Sequence, residues 1–304
     1  MELIKPDSNI NFVGNIKRAL IFSLILIAIG LGSLTIKGGP RYGIDFEGGT
    51  LVQIKFFNKV DISEVRVTLS DLDIEGLSVQ EFGEKEANEY LITMKKTTGE
   101  LEGLSDKIKA ALMNRFSSES LDIRRVEMVG PKVGKDLRRK GMSAIIFSLI
   151  GMLIYIWWRF ELRFGVGAII CLMHDVLITL GALSITNKPI DLPIIAALLA
   201  VVGYSVNDTI IISDRIRENL KKMIRERLKE IVNKSINQTL SRTCITAGTT
   251  LMVVISLFFL GGEVIHDFAF TLLVGICIGT YSSIFIASPL LIAWERLFPK
   301  KKKR

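Results

Sequence analysis

The stretch FGVGAIICLMHDVLITLGALSIT, residues 164–186, contains one acidic residue, Asp175, and neither lysine nor arginine. At about 1.5 Å per residue it is long enough to cross a hydrocarbon core of about 30 Å as a helix. Comparable, nearly charge-free runs lie at residues 19–36, 141–158, 190–213, 243–262 and 268–294. The sequence therefore predicts an α-helical polytopic membrane protein with six transmembrane helices.

Composition agrees with segregated apolar and charged segments. The 304 residues are 49% hydrophobic and 23% charged, with a net charge of +8 and a mean hydropathy of +0.40, which excludes a disordered chain. Cys171, Cys244 and Cys277 all fall within apolar runs. Because none lies in the long hydrophilic stretch, we interpret them as packing residues and not as disulfide partners.

The distribution of lysine and arginine predicts the orientation. With six spans, most basic residues fall on the side that holds both termini, so both termini are predicted to be cytoplasmic. The basic tail PKKKKR suits anionic lipid headgroups, and nucleic acid is not needed to explain the net charge. The predicted organisation is a cytoplasmic N-terminus at 1–18, a first transmembrane helix at 19–36, an extracytoplasmic domain at 37–140, a five-helix transmembrane bundle at 141–294 and a basic cytoplasmic tail at 295–304.

Residues 215–242 form an amphipathic cytoplasmic segment within the bundle. Apolar residues recur there at mostly helical spacing among lysine, arginine and glutamate, which predicts an amphipathic surface helix. It would lie on the inner membrane interface or provide a docking surface for a partner.

The outer domain shows alternating strand and helix patterns in the order β-α-β-β-α-β, which predicts a ferredoxin-like α+β fold. The domain contains neither histidine nor cysteine, so we expect no metal site and no catalysis in it. Its most distinctive segment is GIDFEGGT at 43–50, with Asp45, Gly48 and Gly49. Paired glycines permit positive φ angles, so a structural turn and a functional contact are both open interpretations.

Charged residues inside the predicted spans are the main functional candidates, because a charge at mid-bilayer costs about 2.5–3.5 kcal/mol on the insertion scale. Asp208 lies seven residues before the basic boundary at Arg215, about 10 Å inside the cytoplasmic edge. Tyr204 and Ser205 lie one turn earlier, on the same face. Arg242 opens the next span at a comparable depth, so an Asp208–Arg242 pair across two helices is possible.

Such a pair can act as a proton switch. Near Arg242 the Asp208 carboxylate stays ionised, whereas an isolated carboxylate in apolar surroundings favours its protonated form. The alternative is a static arrangement in which Arg242 reaches the interface and Asp208 bonds a neighbouring helix. For His174 and Asp175, near the middle of the third span, the same two interpretations are open, and polar interhelical packing is favoured over a proton relay. Adjacent residues point about 100° apart on a helix, so the two side chains can serve different contacts.

Several motifs together resemble one family, the SecF subunits of the bacterial SecD–SecF accessory complex, within the resistance-nodulation-division superfamily. The matching motifs, in the family's order and spacing, are GIDFEGGT at 43–50, VGPKVGKDL at 129–137, RFELRFGVGA at 159–168, HDVLITLG at 174–181, GYSVNDTIIISDRIREN at 203–219, SINQTLSRT at 235–243 and GTYSSIFIASPL at 279–290. The resemblance covers nearly the whole chain.

The resemblance implies a multi-pass subunit in the bacterial cytoplasmic (inner) membrane. It would work with SecD and the SecYEG channel and use the proton gradient, without a bound cofactor, to promote late translocation of unfolded polypeptides. Asp208 matches the family's membrane aspartate linked to proton transport, and Arg242 matches its arginine. His174 and Asp175 match a family motif whose role is less defined. Coupling to sodium is not excluded.

Two other functions compete with this hypothesis. A proton-driven exporter of small molecules or lipids from the same superfamily would usually carry two six-span halves and larger outer domains on one chain. A passive scaffold would stabilise the channel without moving ions. Asp208 separates the scaffold from the proton-coupled subunit, because only the latter requires a titrating carboxylate there.

Overall fold

The protein is described from a computed structural model that covers residues 8–298, except 73, 75, 83–87, 95–100, 117–120 and 160–161. The basic tail beyond residue 298 and the first seven residues therefore lie outside the described residues. The chain divides into two compact units. The helical unit comprises Met1–Arg41, Ile145–Lys188 and Pro193–Arg304, and the α+β unit comprises Tyr42–Ala144 and Pro189–Leu192.

Long apolar helices dominate the chain. They are α1 (Ile16–Ile36), α5 (Pro131–Arg159), α6 (Leu162–Ile185), α7 (Leu192–Lys222), α8 (Leu228–Leu260), α9 (Glu263–Ser282) and α10 (Ser288–Leu297), with a short 3-10 turn before α1 and a π-helical turn, Ser283–Ala287, between α9 and α10. Among the described residues, six helical stretches are long and apolar enough to cross a membrane when α9, the π turn and α10 are counted as one. This confirms the six predicted spans.

The helices differ in how far they are buried in the protein. About half of the apolar window is buried in α6 (56%), in α7 (50%) and in the stretch from α9 to α10 (50%), against 11% in α1 and 17% in α8. The central helices are therefore α6, α7 and α9. These three helices also carry most of the buried polar side chains of the helical unit.

Small residues permit close helix contacts around this centre. A Cβ atom on Gly275 of α9 would lie 2.2 Å from Val201 of α7, and one on Gly279 would lie 3.1 Å from the Ser205 Cβ. The glycine face of the last span therefore packs against α7 of the same chain. Likewise, a Cβ on Gly30 of α1 would lie 2.8 Å from the Gly181 Cα of α6.

The amphipathic segment 215–242 is not one surface helix. Its first part continues α7 to Lys222, and its second part begins α8 at Leu228. Its apolar side chains, including Ile216, Ile236 and Leu240, are buried in the same hydrophobic core as residues of α6 and α10. The apolar face of this segment therefore faces the protein core and not the membrane interface, because folding the chain back on itself buries that face more completely.

The α+β unit contains a four-stranded sheet. Its elements are α2 (Ile44–Glu47), β1 (Gly49–Phe56), α3 (Ile62–Ser70), β2 (Ser78–Phe82), β3 (Glu89–Met94), α4 (Leu101–Phe116) and β4 (Leu121–Val129). The strand order is β2-β3-β1-β4, with antiparallel pairing throughout and Val52 opposite both Ile92 and Val126. This is the predicted β-α-β-β-α-β unit.

Strand alternation and helix spacing explain the core of this unit. Val52, Ile54 and Phe56 alternate on the buried face of β1, and Ile108 and Leu112 of α4 stand four apart in the same core. The Asp61 carboxylate caps α3 by accepting a hydrogen bond from the Ser63 amide at 2.8 Å. The hydrogen bonds from Ser63 lower the pKa of Asp61. After β4 the chain enters α5 at Pro131, about ten residues before the predicted span, because α5 extends well beyond its apolar part.

Candidate functional site

Asp208 lies at the centre of α7, along which buried residues recur from Ile194 to Asn219. Its side chain is 0% exposed, and neither carboxylate oxygen accepts a hydrogen bond from any residue in the described part of the chain. Taking an ionised carboxylate out of water costs several kcal/mol unless a partner compensates for it. Asp208 is therefore a buried carboxylate with free hydrogen-bonding capacity.

Three further buried hydroxyls lie beside Asp208 or beside Arg242. Tyr204 lies one turn earlier on α7 and Thr280 is a neighbour of Asp208 on α9, while Thr243 is the buried residue that follows Arg242 on α8. Like the Asp208 oxygens, these hydroxyls have no hydrogen-bond partner among residues 8–298 as far as they are described. We call Tyr204, Asp208, Thr243 and Thr280 the Asp208 cluster. It holds one acidic group and three hydroxyls that are free to bind water or a cation.

Arg242 lies one residue before Thr243 on α8 and acts electrostatically on Asp208. The guanidinium is exposed, whereas the carboxylate is buried without a hydrogen bond to it. The structure therefore brings the two predicted residues into electrostatic range on adjacent helices but does not join them by hydrogen bonds. Whether they relay protons remains a prediction.

Asp175, on α6, is a second buried carboxylate with the opposite environment. The Ser282 hydroxyl donates to its Oδ2 at 2.9 Å, and the Ser205 hydroxyl donates to the same oxygen. The Nδ1 atom of His174 lies 2.9 Å from its Oδ1. His174 and Asp175 thus contact each other, and each also has its own neighbours: Ser205 and Ser282 for Asp175, and the Tyr281 ring for His174.

Further hydroxyls extend this Asp175 cluster, which comprises Cys171, His174, Asp175, Ser205, Thr209, Ser282 and Ser283. Thr209 and Ser283 share a hydrogen bond of 3.0 Å, and the Cys171 thiol donates to Ser282 at 3.0 Å. The cluster joins α6, α7 and α9 immediately before the π-helical turn at Ser283. Isolated π turns within helices are frequent at functional sites.

The remaining candidates have structural roles. In GIDFEGGT, Gly48 has φ +78° and Gly49 has φ +144°, and a Cβ on Gly49 would lie 2.5 Å from the Met94 carbonyl oxygen. Asp45 accepts a hydrogen bond from the amide of Leu192, the first residue of α7, at 3.0 Å. The structural interpretation of the paired glycines is thus sufficient to explain them.

Sequence reasoning missed several members of the two clusters. Cys171 was interpreted only as a packing residue, and Thr209, Thr243, Thr280, Ser282 and Ser283 were given no polar role. Their signal in the sequence is weak, because serine and threonine are common in membrane helices, where they often bond the backbone of their own helix. A clearer indication was the recurrence of Ser205 and Thr209 on one face of the helix that carries Asp208.

Comparison with known proteins agrees with this architecture. Residues 108–297 match the family described as "Protein export membrane protein SecD/SecF, C-terminal", and residues 32–56 match the "SecD/SecF GG Motif". The GG match contains the strained glycine pair. Together the two matches include the Asp175 and Asp208 clusters and the start of the sheet.

Full-length relatives carry a consistent name. The chain is 50% identical to the protein translocase subunit SecF of Calditerrivibrio nitroreducens, with 96% of each chain covered. It is 44% identical to SecF of Vibrio alginolyticus, covering all of this chain and 96% of the relative, and 41% identical to SecF of Pseudomonas aeruginosa, covering 97% and 95%.

Solved structures show the same fold. The crystal structure of SecDF from Thermus thermophilus, a translocon-associated membrane protein, superposes with a TM-score of 0.85 at 37% identity. The alignment covers 97% of this chain and 40% of the SecDF chain. A second SecDF structure, in the super-membrane-facing form, gives a TM-score of 0.70 at 38% identity over 96% of this chain and 39% of the other. The chain therefore belongs to the SecF family of protein translocase subunits.

Proposed function

We propose that this chain is the proton-coupled accessory subunit that works with SecD in a bacterial Sec translocase. It uses the proton gradient to promote the late translocation of unfolded polypeptides across the cytoplasmic membrane and their insertion into it. Its place in the family supports the role in translocation. The observation that supports proton coupling is the environment of Asp208. Its carboxylate is fully buried, and no described residue donates a hydrogen bond to either of its oxygens.

The proton occupancy of a buried carboxylate without hydrogen bonds depends on two opposing effects. Ionisation is opposed by the loss of hydration and favoured by the Arg242 guanidinium on α8. A small change in the separation of α7 and α8 therefore changes the proton occupancy of Asp208. By the same linkage, binding or loss of the proton changes the preferred separation of the two helices.

The proton gradient supplies enough free energy to drive such a change. One elementary charge that crosses the membrane potential releases about 2.3 kcal/mol per 100 mV. That energy shifts a two-state equilibrium by about fiftyfold, because each 1.4 kcal/mol corresponds to a factor of ten. Movement of the membrane helices is then available to drive a domain outside the membrane, which we propose engages SecD or the emerging polypeptide.

The arrangement in the membrane follows from the basic residues. We propose that both termini are cytoplasmic and that the α+β unit is extracytoplasmic, because lysine and arginine concentrate on the opposite side of the spans. The same basic residues are suited to bind anionic lipids. SecD would supply a second set of helices, and the apolar surface that α1 and α8 leave uncovered is available to contact them or lipid.

The decisive test compares Asp208→Asn with the unchanged chain in vesicles that contain SecD and the SecYEG channel. We expect the variant to lose the gradient-dependent part of translocation, because an amide cannot bind and release the proton. Arg242→Gln should cause a comparable loss, since it removes the charge that favours ionisation. Full gradient-dependent stimulation by a correctly assembled Asp208→Asn complex would refute proton transfer at this residue.

A matched control is Asp214→Asn, one and a half turns further along α7. Asp214 is half-exposed, and its carboxylate lies 3.5 Å from the Arg159 guanidinium. It is predicted to retain translocation, because an exposed ion pair contributes little and solvent replaces the lost contact. Replacing the proton gradient with a sodium gradient of equal size distinguishes the coupling ion, since stimulation by sodium alone would identify Asp208 as a sodium ligand.

The partners are tested by purification of the tagged chain in mild detergent. Recovery of SecD together with the SecYEG channel supports the translocase subunit. Recovery of the chain with only copies of itself, in a folded state, would instead support an independent transporter of small molecules or lipids.

A further inference from the structure

His174 has one ring nitrogen engaged and one free. Its Nδ1 lies 2.9 Å from Oδ1 of Asp175, while its Nε2 is buried without a hydrogen-bond partner in the described chain. The whole residue is 6% exposed. A buried polar atom without a partner is uncommon in folded proteins and indicates strain, a bound group or a functional role.

The surroundings of Asp175 decide which nitrogen of His174 carries the proton. Asp175 Oδ2 accepts hydrogen bonds from the Ser205 and Ser282 hydroxyls. A carboxylate that accepts several hydrogen bonds is stabilised in its ionised form. An ionised carboxylate only accepts hydrogen bonds, so Nδ1 of His174 must be the donor. In the neutral imidazole, Nε2 then carries the lone pair that is available to a proton.

Three kinds of titratable group lie around this pair. On α6 itself the buried Cys171 thiol, one turn before Asp175, donates to the Ser282 hydroxyl. On α9 the Tyr281 ring stacks on the His174 imidazole, with 6.3 Å between the ring centroids. The Tyr281 hydroxyl donates to the Ala19 carbonyl oxygen of α1. On α7, Tyr204 directly precedes Ser205. The nearest acidic residue on that helix is Asp208, three residues after Ser205.

Other titratable groups on α6 and on the helices packed against it lie toward the helix ends: Arg163 on α6, Lys17 and Arg18 on α1, His266 and Asp267 on α9, and Glu295 and Arg296 on α10. Each is at least five residues, about 8 Å or more, from the level of this pair. The charge closest to His174 is thus that of Asp175.

We propose that His174 is a second proton-binding residue of the helical unit, with Asp175 as the counter-ion that stabilises the protonated imidazole. A hydronium ion delivers the proton: one of its O–H bonds breaks as the N–H bond forms at the Nε2 lone pair, and a water molecule is left. The inference rests on the proposed proton-coupled function and extends it, because it adds a binding site on α6 to the one on α7.

The hydrogen bonds of Asp175 connect this site to Asp208. Ser205, which donates to Asp175, lies one turn before Asp208 on α7. Protonation of His174 changes the net charge of the His174–Asp175 pair from −1 to zero, which weakens the attraction of the carboxylate for the Ser205 hydroxyl. Proton occupancy at His174 thereby alters the strength of the Asp175–Ser205 hydrogen bond between α6 and α7, one turn before Asp208.

Nuclear magnetic resonance of the imidazole nitrogens tests the site directly. The chain contains only two histidines, so the variant His266→Gln of the full chain leaves His174 as the sole labelled residue. In lipid nanodiscs at alkaline pH, the ring should be neutral with its proton on Nδ1, and on acidification it should become imidazolium. A proton on Nε2 at alkaline pH, or a ring that stays neutral down to pH 4, would overturn the proposal.

Two further variants test the role of Asp175. In Asp175→Asn, made in the same background, a lower pH should be needed to convert the ring to imidazolium, because the paired negative charge is lost. Ser283→Ala should leave the pH of this conversion unchanged, since Ser283 bonds Thr209 and not Asp175. An unchanged pH of conversion in Asp175→Asn contradicts the counter-ion role. If that variant does not fold, the position of the ring proton in His266→Gln at alkaline pH still tests whether His174 donates to Asp175.

Translocation assays separate this inference from the proposed function. His174→Gln should flatten the pH dependence of gradient-driven translocation between about pH 5 and 8, the range in which histidine titrates, whereas Asp208→Asn should abolish gradient-driven translocation at every pH. Loss of activity in Asp208→Asn with a non-titrating His174 refutes the inference alone. A titrating His174 with a fully active Asp208→Asn complex refutes the proposed role of Asp208.

Discussion

The helical unit contains two buried carboxylates with opposite environments. Asp175 accepts hydrogen bonds from His174, Ser205 and Ser282, whereas Asp208, one turn beyond Ser205, accepts none from the residues that the structure describes. Both side chains are almost fully buried, at 1% and 0% exposure. Burial is therefore equal and only the partners differ.

This difference separates a carboxylate that organises the fold from one that is available for transport. Hydrogen bonds to Asp175 offset the free energy lost on removing its charge from water, and they also fix three helices with respect to one another. Asp208 lacks this compensation, so its charge state is sensitive to small movements of Arg242 and of the helices around it. A residue that must bind and release an ion has to remain unsatisfied in one state.

The largest expected effect is on stability and comes from removing each carboxylate in turn. Asp175→Ala leaves the donors on His174, Ser205 and Ser282 without their acceptor, so we expect the free energy of unfolding to fall by about 2–4 kcal/mol. Asp208→Ala removes an uncompensated buried charge, so stability should stay the same or rise. Chemical unfolding of the purified chain in detergent measures both changes.

An equal loss of stability in the two variants would contradict the comparison of the two carboxylates, because it would show that Asp208 also has partners. Measuring translocation as well as stability makes the test stricter. Asp208→Ala is expected to be stable and inactive, which is the signature of a residue kept for function at the expense of stability.

Much of this architecture could be predicted from the sequence, because apolar length and strand alternation act locally. The run at 164–186 gives α6, and the alternation of Val52, Ile54 and Phe56 gives β1. Asp208 was recognisable because a lone charge in an apolar run requires a reason. Arg242 followed from its similar depth in the next span.

The partners of Asp175 could not be predicted, because hydrogen bonds between helices depend on rotation and close approach. Ser282 lies 107 residues from Asp175 in the chain, and the bond forms only where α9 contacts α6. The amphipathic segment 215–242 was misassigned for a related reason. Its pattern gives an apolar face, but only tertiary packing determines whether lipid or protein covers that face.

The second prediction loosens the Asp175 cluster without changing any of its polar groups. A Cβ on Gly279 would lie 3.1 Å from the Ser205 Cβ, so Gly279→Ala should push α9 away from α7 and lower stability by about 1–2 kcal/mol. Gly248→Ala on α8 is the matched control, because no atom lies within 4 Å of its added Cβ. That variant should be neutral or more stable by about 0.5–1 kcal/mol, since alanine favours helices. Equal effects at the two glycines would show that close packing at Ser205 is unimportant.

The smallest expected effect compares single hydroxyls in the two clusters. Ser282→Ala removes a hydrogen bond to Asp175, so it should lower the free energy of unfolding by about 0.6 kcal/mol, the average for hydrogen bonds between membrane helices. Thr243→Val, which keeps the side-chain shape, removes a buried hydroxyl that has no partner in the described structure and should therefore cost nothing. Both variants are measured by the same unfolding assay, alone and with SecD bound.

A cost for Thr243→Val that appears only with SecD would show that SecD supplies a polar partner to the Asp208 cluster. A cost in the isolated chain would instead show that water or a cation already bonds the Thr243 hydroxyl, and the absence of partners in the Asp208 cluster, on which the contrast between the two carboxylates depends, would then be contradicted.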